Sequence, residues 1–157
     1  MERLVRRENL MSESIKKTKR KALSWDKEYK DPGVSDLRLH LENLTKTKSV
    51  GNIEIFRLCL SIGYQSGLKR PTPPRATDAV RIEDLKETDS ALFMMVALDD
   101  SKDSSILLDE DRIYDIVEQY AAQGLMILCQ EMKNQPSFTD WLKETLFKNL
   151  RKQMSSK

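Results

Sequence analysis

Residues 114–132, YDIVEQYAAQGLMILCQEM, read as one helix with Gly124 in its middle. A glycine inside a helix costs about 1 kcal/mol relative to alanine, so its presence asks for compensation. Ile113, Ile116, Val117, Tyr120, Gly124, Ile127 and Leu128 fall on one helix face, which places the glycine on the apolar stripe. Ala121 and Ala122 precede it. The stretch predicts a notch of small residues where another helix or an aromatic ring comes close. On that reading Gly124→Leu overpacks the contact, and Gly124→Ala is mild because helix propensity offsets a small clash.

The other segments repeat the helical pattern at shorter length. Leu37, Leu41 and Leu44 share a face in DLRLHLENLTK, behind Pro32-Gly33 and a candidate cap at Ser35, with His40 at the edge of the stripe. Ile53, Phe56, Leu60 and Tyr64 share another, widened by Leu58, Cys59 and Ile62, which implies burial on more than one side. LKRPTPPRAT is a stiff linker whose prolines block helix and exclude a central strand. The run ALFMMVAL, after a candidate cap at Ser90, reads as a short buried helix. Ser137 and Asp140 open a last helix with Phe138, Trp141, Leu142, Leu146, Phe147 and Leu150 on one face. Its short connection predicts antiparallel docking on the preceding helix.

The expected fold class is therefore all-α, a compact bundle of about five helices. Residues 1–22 read as a basic arm, mobile or partly helical, and residues 23–157 as a single domain with the proline-rich linker near 69–76. Met11, followed by Ser-Glu-Ser, is a candidate start site beside Met1. The apolar runs fall short of the roughly 20 residues a bilayer span needs, and no secretory signal is visible, so the expected location is cytoplasmic.

Charge is distributed unevenly. Residues 1–30 carry ten Lys or Arg against five acids, whereas residues 78–118 carry thirteen acids against four bases. Lys16, Lys17, Lys19, Arg20 and Lys21 in the arm, with Lys69, Arg70 and Arg75 in the linker, form the candidate nucleic-acid-binding set, because clustered bases neutralise phosphates. The acidic middle repels phosphate and suits a basic protein partner, with Asp99, Asp100 and Asp103 as the candidate contacts.

Motifs for catalysis or metal binding do not stand out. There is no P-loop, no Gly-x-Ser-x-Gly elbow, and His40 is the only histidine. The acid run 98–112 lacks the glycine and closing glutamate of an EF-hand. Cys59 and Cys129 read as buried thiols. No cofactor, metal or catalytic residue is expected, and the chain reads as a binding protein rather than an enzyme.

Two stretches in order, FRLCLSIGY with GLKRP, and IVEQYAAQGLMIL, resemble the Dnd system-associated protein four family over roughly residues 50–147. The likeness is strongest at Glu118, Tyr120, Gly124, Leu125, Ile127 and Leu128, while Gln123 stands where the family has a small residue. The resemblance implies an accessory protein of a bacterial DNA phosphorothioation and phage-defence system. Its expected partners are other proteins of that system first and DNA second, without a membrane role. A weaker likeness runs from ALSWD through the next two helices to ribbon-helix-helix regulators, which would make a homodimer obligatory.

Overall fold

The computed structural model describes residues 15–47, 49–71 and 73–155. Strand β1 (Ala22–Asp26) leads into the short helix α1 (Lys27–Lys30), then α2 (Gly33–Thr45) and α3 (Asn52–Ser66). Strand β2 (Arg75–Arg81) follows, then α4 (Glu87–Ser101), α5 (Glu110–Asn134) and α6 (Phe138–Ser155). Short 3-10 helices at Ile82–Asp84 and Ser104–Leu108 precede α4 and α5.

The architecture is mostly helical but not all-α. β1 and β2 form an antiparallel pair in which Ala22 faces Arg81, Leu23 faces Val80 and Asp26 faces Arg75. The strands escape a reading by periodicity because each needs a partner about fifty residues away. β2 starts directly behind the prolines, where the missing amide donors are tolerated at a strand end. A ribbon-helix-helix arrangement pairs this strand with its copy in a second chain, whereas here β1 pairs in cis with β2.

Helices α3 and α5 form the centre of the molecule. Phe56 of α3 is fully buried between Trp25 of β1 and Phe93 of α4, at ring separations of 5.8 and 6.1 Å. Leu125, Leu128 and Val117 line the α5 side of the same core. Asp109 caps α5 by accepting from the Arg112 amide, and Gly67, at φ 74°, ends α3 in the left-handed region that glycine enters without penalty.

Gly124 marks the α3–α5 crossing. A Cβ placed there would stand 1.7 Å from the Cys59 carbonyl oxygen, and one on Gly63 would stand 1.8 Å from the Tyr120 carbonyl oxygen. The notch is therefore a backbone-to-backbone contact with no room for a methyl group. Alanine at 124 is not the mild change that the sequence suggests.

Other local expectations shift. Helix α2 starts at Gly33, and the Ser35 hydroxyl donates to the Pro32 carbonyl inside its first turn. Helix α4 starts at Glu87, and Asp89 rather than Ser90 caps it by accepting from the Lys86 amide at 3.1 Å. Helix α6 does not lie along α5. Its first turns bury Phe138 and Leu142, and the Phe138 ring packs 4.8 Å from His40 of α2.

Candidate interaction surfaces

Most of the basic residues expected to meet nucleic acid are occupied by carboxylates of the same chain. Lys16 lies 3.8 Å from Asp111 and Lys17 lies 3.5 Å from Glu110, both pairs at the surface. Lys69 holds Asp100 at 2.8 Å. Arg70 pairs with Asp26 at 2.6 Å and with Glu28, and its guanidinium lies over the Tyr29 ring at 5.3 Å. Lys19 and Lys21 are exposed and form no ion pair among the described residues.

Arg20 and Arg75 converge on one buried acid. Glu118 of α5 is 5% exposed; Oε1 accepts from Arg20 at 2.9 Å and from the Ser24 amide at 3.2 Å, and Oε2 accepts from Arg75 at 3.1 Å. Asp115, one turn earlier on α5, pairs with Arg20 at 2.5 Å and with Arg75 at 3.6 Å. Burial pushes the Glu118 carboxyl above its ordinary range, while both guanidinia and the Ser24 amide pull it back. The cluster ties the segment before β1, the start of β2 and the middle of α5 together. It positions backbone, and its donors are already filled.

The segment ahead of β1 is anchored from Lys16 onward. Lys16 donates its amide to the Leu108 carbonyl at 2.7 Å and accepts from the Glu110 amide at 3.2 Å, and the Thr18 amide donates to the Glu110 carboxylate. Of the arm expected at residues 1–22, residues 1–14 lie outside the described residues. The linker is tied down as well: the Arg70 amide reaches the Gln119 carbonyl, and the Pro74 carbonyl accepts from the Lys27 amide.

The candidate acids divide into two kinds. Asp100 is half-buried at the end of α4, where it accepts from the Tyr120 hydroxyl at 2.6 Å beside Lys69. These two donors hold its carboxyl below the usual range against the opposing effect of burial, and burial together with the Asp100 bond raises Tyr120. Asp99 is exposed, takes the Tyr64 hydroxyl and Lys102, and is lowered by both. Asp103 is exposed and caps the 3-10 helix through the Ser105 amide. Asp99 and Asp103 thus point outward, and Asp100 locks α4 to α5.

Two apolar surfaces are exposed where the sequence pattern suggests burial. Helix α4 buries Phe93, Val96 and Ala97 but exposes Met94, Met95 and Leu98 on its opposite side, with Met95 69% exposed. A signal does exist: a helix apolar all round that closes only one side of a small core must present the rest outward. Helix α6 exposes Leu146, Phe147, Leu150 and Met154, the last at 70%. Among the described residues no group of three or more His, Cys, Asp or Glu side chains could hold a metal, and no helix is long and apolar enough to cross a membrane. Burial raises both thiols, Cys129 to about 11.

The profile of the DNA sulphur modification system-associated protein 4 family matches residues 52–157, more than half of the chain. The chain belongs to that family. The match begins at the first residue of α3 and takes in the whole α3–α5 crossing, α4 and α6. β1 and α2 lie outside it, and β1 joins it through β2 and Glu118. No curated protein and no solved structure matches the chain. Membership ties this protein to a DNA sulphur modification system as an associated protein.

Proposed function

We propose that this chain is a non-catalytic adaptor of a DNA sulphur modification system with an anti-phage role, working in the cytoplasm by docking other proteins of that system. The observation that carries the reading is the internal pairing of the bases. Lys16, Lys17, Arg20, Lys69, Arg70 and Arg75 each face a carboxylate of the same chain, so a phosphate backbone would have to displace those acids. Outward on the family-matched part lie apolar and acidic features, the free side of α4, the exposed apolar half of α6, and Asp99 with Asp103, beside the exposed bases of α6, Lys143, Lys148, Arg151 and Lys152. Such features fit protein contacts, where charge sets specificity and association rate and apolar area supplies affinity.

Co-purification with the neighbouring modification and restriction proteins tests this, comparing the parent with Asp99→Lys/Asp103→Lys. Loss of a partner at low salt supports the acidic docking edge. Full recovery of every partner rejects it. DNA contact is the second reading, carried by Lys19 and Lys21 as the bases left exposed and outside the ion pairs in the candidate set.

A further inference from the structure

Two helix faces that no described residue covers are complementary to one another. The exposed half of α6 carries Leu146, Leu150 and Met154 at four-residue spacing with Phe147 beside them. Residues 143–152 around that stripe hold four bases, Lys143, Lys148, Arg151 and Lys152, against the single acid Glu144. The outward face of α4 presents Met94, Met95 and Leu98. Residues 83–103 around it hold seven acids against two bases, Lys86 and Lys102. Asp89 and Asp100 of the seven are used inside, by Arg57 and Lys69; Glu83 and Asp84 share Arg81 and Asp99 holds Lys102 at the surface, while Glu87 is exposed at the start of α4.

We propose that the exposed half of α6 docks on the outward face of α4 in a second copy of this chain, each copy giving its α6 and receiving the other's. Within one chain the first turns of α6 bury Phe138 and Leu142, with Phe138 against His40 of α2, and the apolar side chains of its distal turns are exposed. A helix face with basic flanks meets an apolar face with acidic flanks, so the contact gains both area and charge complementarity. Reciprocal exchange around a two-fold axis covers both faces of both copies and closes the assembly, whereas one-way docking would run on into chains. Like-with-like pairing of two α6 helices would set the basic flanks, Lys143 and Arg151, against each other.

Sedimentation equilibrium of the purified full chain at about 50 μM, where a micromolar contact is largely formed, tests the proposal. The parent is expected to have twice the chain mass. Leu150→Glu in α6 and Met95→Glu in α4 change exposed side chains, so each should keep the helix content of the parent by circular dichroism and sediment as a monomer. An equimolar mixture of the two should regain a two-chain species, because one of its two interfaces combines an intact α6 with an intact α4. Lys143→Glu/Arg151→Glu, at exposed positions, should weaken the dimer at least tenfold without touching the apolar stripe. A monomeric parent overturns the proposal and leaves both faces to other proteins. A dimer that survives Met95→Glu but not Leu150→Glu overturns it in favour of α6–α6 pairing, and a mixture that stays monomeric overturns the exchange.

Discussion

Gly63 and Gly124 face each other across the α3–α5 crossing, each the residue that lets the other helix's backbone approach. A Cβ on Gly124 would lie 2.9 Å from the Gly63 amide nitrogen, and one on Gly63 would lie 2.9 Å from the Gly124 amide nitrogen. The closest obstacles, the Cys59 and Tyr120 carbonyl oxygens, are backbone atoms and cannot swing aside. Helix spacing is thus set at one point, and the packing of Phe56, Leu60, Val117 and Leu125 around it depends on that spacing.

Gly124→Ala should therefore destabilise by about 3 kcal/mol or more, since the gain of roughly 1 kcal/mol in helix propensity cannot offset parting two helices. Gly63→Ala should cost a similar amount. The double variant should cost less than the two added together, because the helices separate only once. Urea melts of the three proteins check this, and additive losses would show two independent contacts instead of one crossing.

Glu118 should be the least replaceable acid in the chain. Glu118→Ala leaves Arg20, itself 14% exposed, without its buried partner and should cost about 3–5 kcal/mol, as expected when one side of a buried ion pair is removed. Glu118→Gln keeps acceptors for Ser24 and should cost less. Limited trypsin digestion gives an independent reading: cleavage within residues 16–21 should accelerate in Arg20→Ala, because the segment loses its tie to α5.

How far the sequence reaches differs from element to element. The α5 stripe and the position of Gly124 upon it are legible, since helical periodicity is local and a glycine on an apolar face points directly to close packing. The identity of its neighbour is not, because Gly63 lies on another helix with its own pattern. The eight candidate bases are sound as a count of charge but not as a surface. Arg20 meets Glu118 and Lys16 meets Asp111 across more than ninety positions, and nothing local announces such pairs. The same holds for β2, whose Ala79 and Val80 are both buried and so show no alternation. The free face of α4 is legible in principle, because a continuous apolar run on a helix need not be buried on every side.

Nucleic-acid binding should be weak and shallow in its salt dependence. Eight free bases would give a steep loss of affinity with salt, at nearly one log unit per phosphate contact for each log unit of salt on duplex DNA. With six of the eight paired internally, the slope over about 50–200 mM salt should correspond to only a few contacts. Lys19→Glu/Lys21→Glu should weaken what binding there is, while Arg75→Gln should leave it unchanged. A slope near that of eight contacts in fluorescence anisotropy would mean that DNA displaces the internal acids.

Acid sensitivity should be traceable to Asp89. Its carboxylate accepts from Arg57 Nε at 2.7 Å and from the Lys86 amide at 3.1 Å, joining α3 to the start of α4. The Arg57 hydrogen bond lowers its pKa first, burial opposes, and the amide and both nearby cations add to the lowering. A carboxyl whose folded pKa is depressed stabilises the fold above its unfolded pKa, near 3.9, and loses that contribution as pH falls through the folded value. Asp89→Asn retains an acceptor for the Lys86 amide but loses the charge, so at pH 7 it should cost about 1–2 kcal/mol, the range of a partly exposed charged hydrogen bond. The gap between parent and variant should stay constant from pH 7 to about pH 5 and shrink below about pH 4. Chemical denaturation at four or five pH values measures it directly. A gap that widens on acidification would mean that Asp89 is protonated in the folded protein and that the Arg57 contact is not an ion pair.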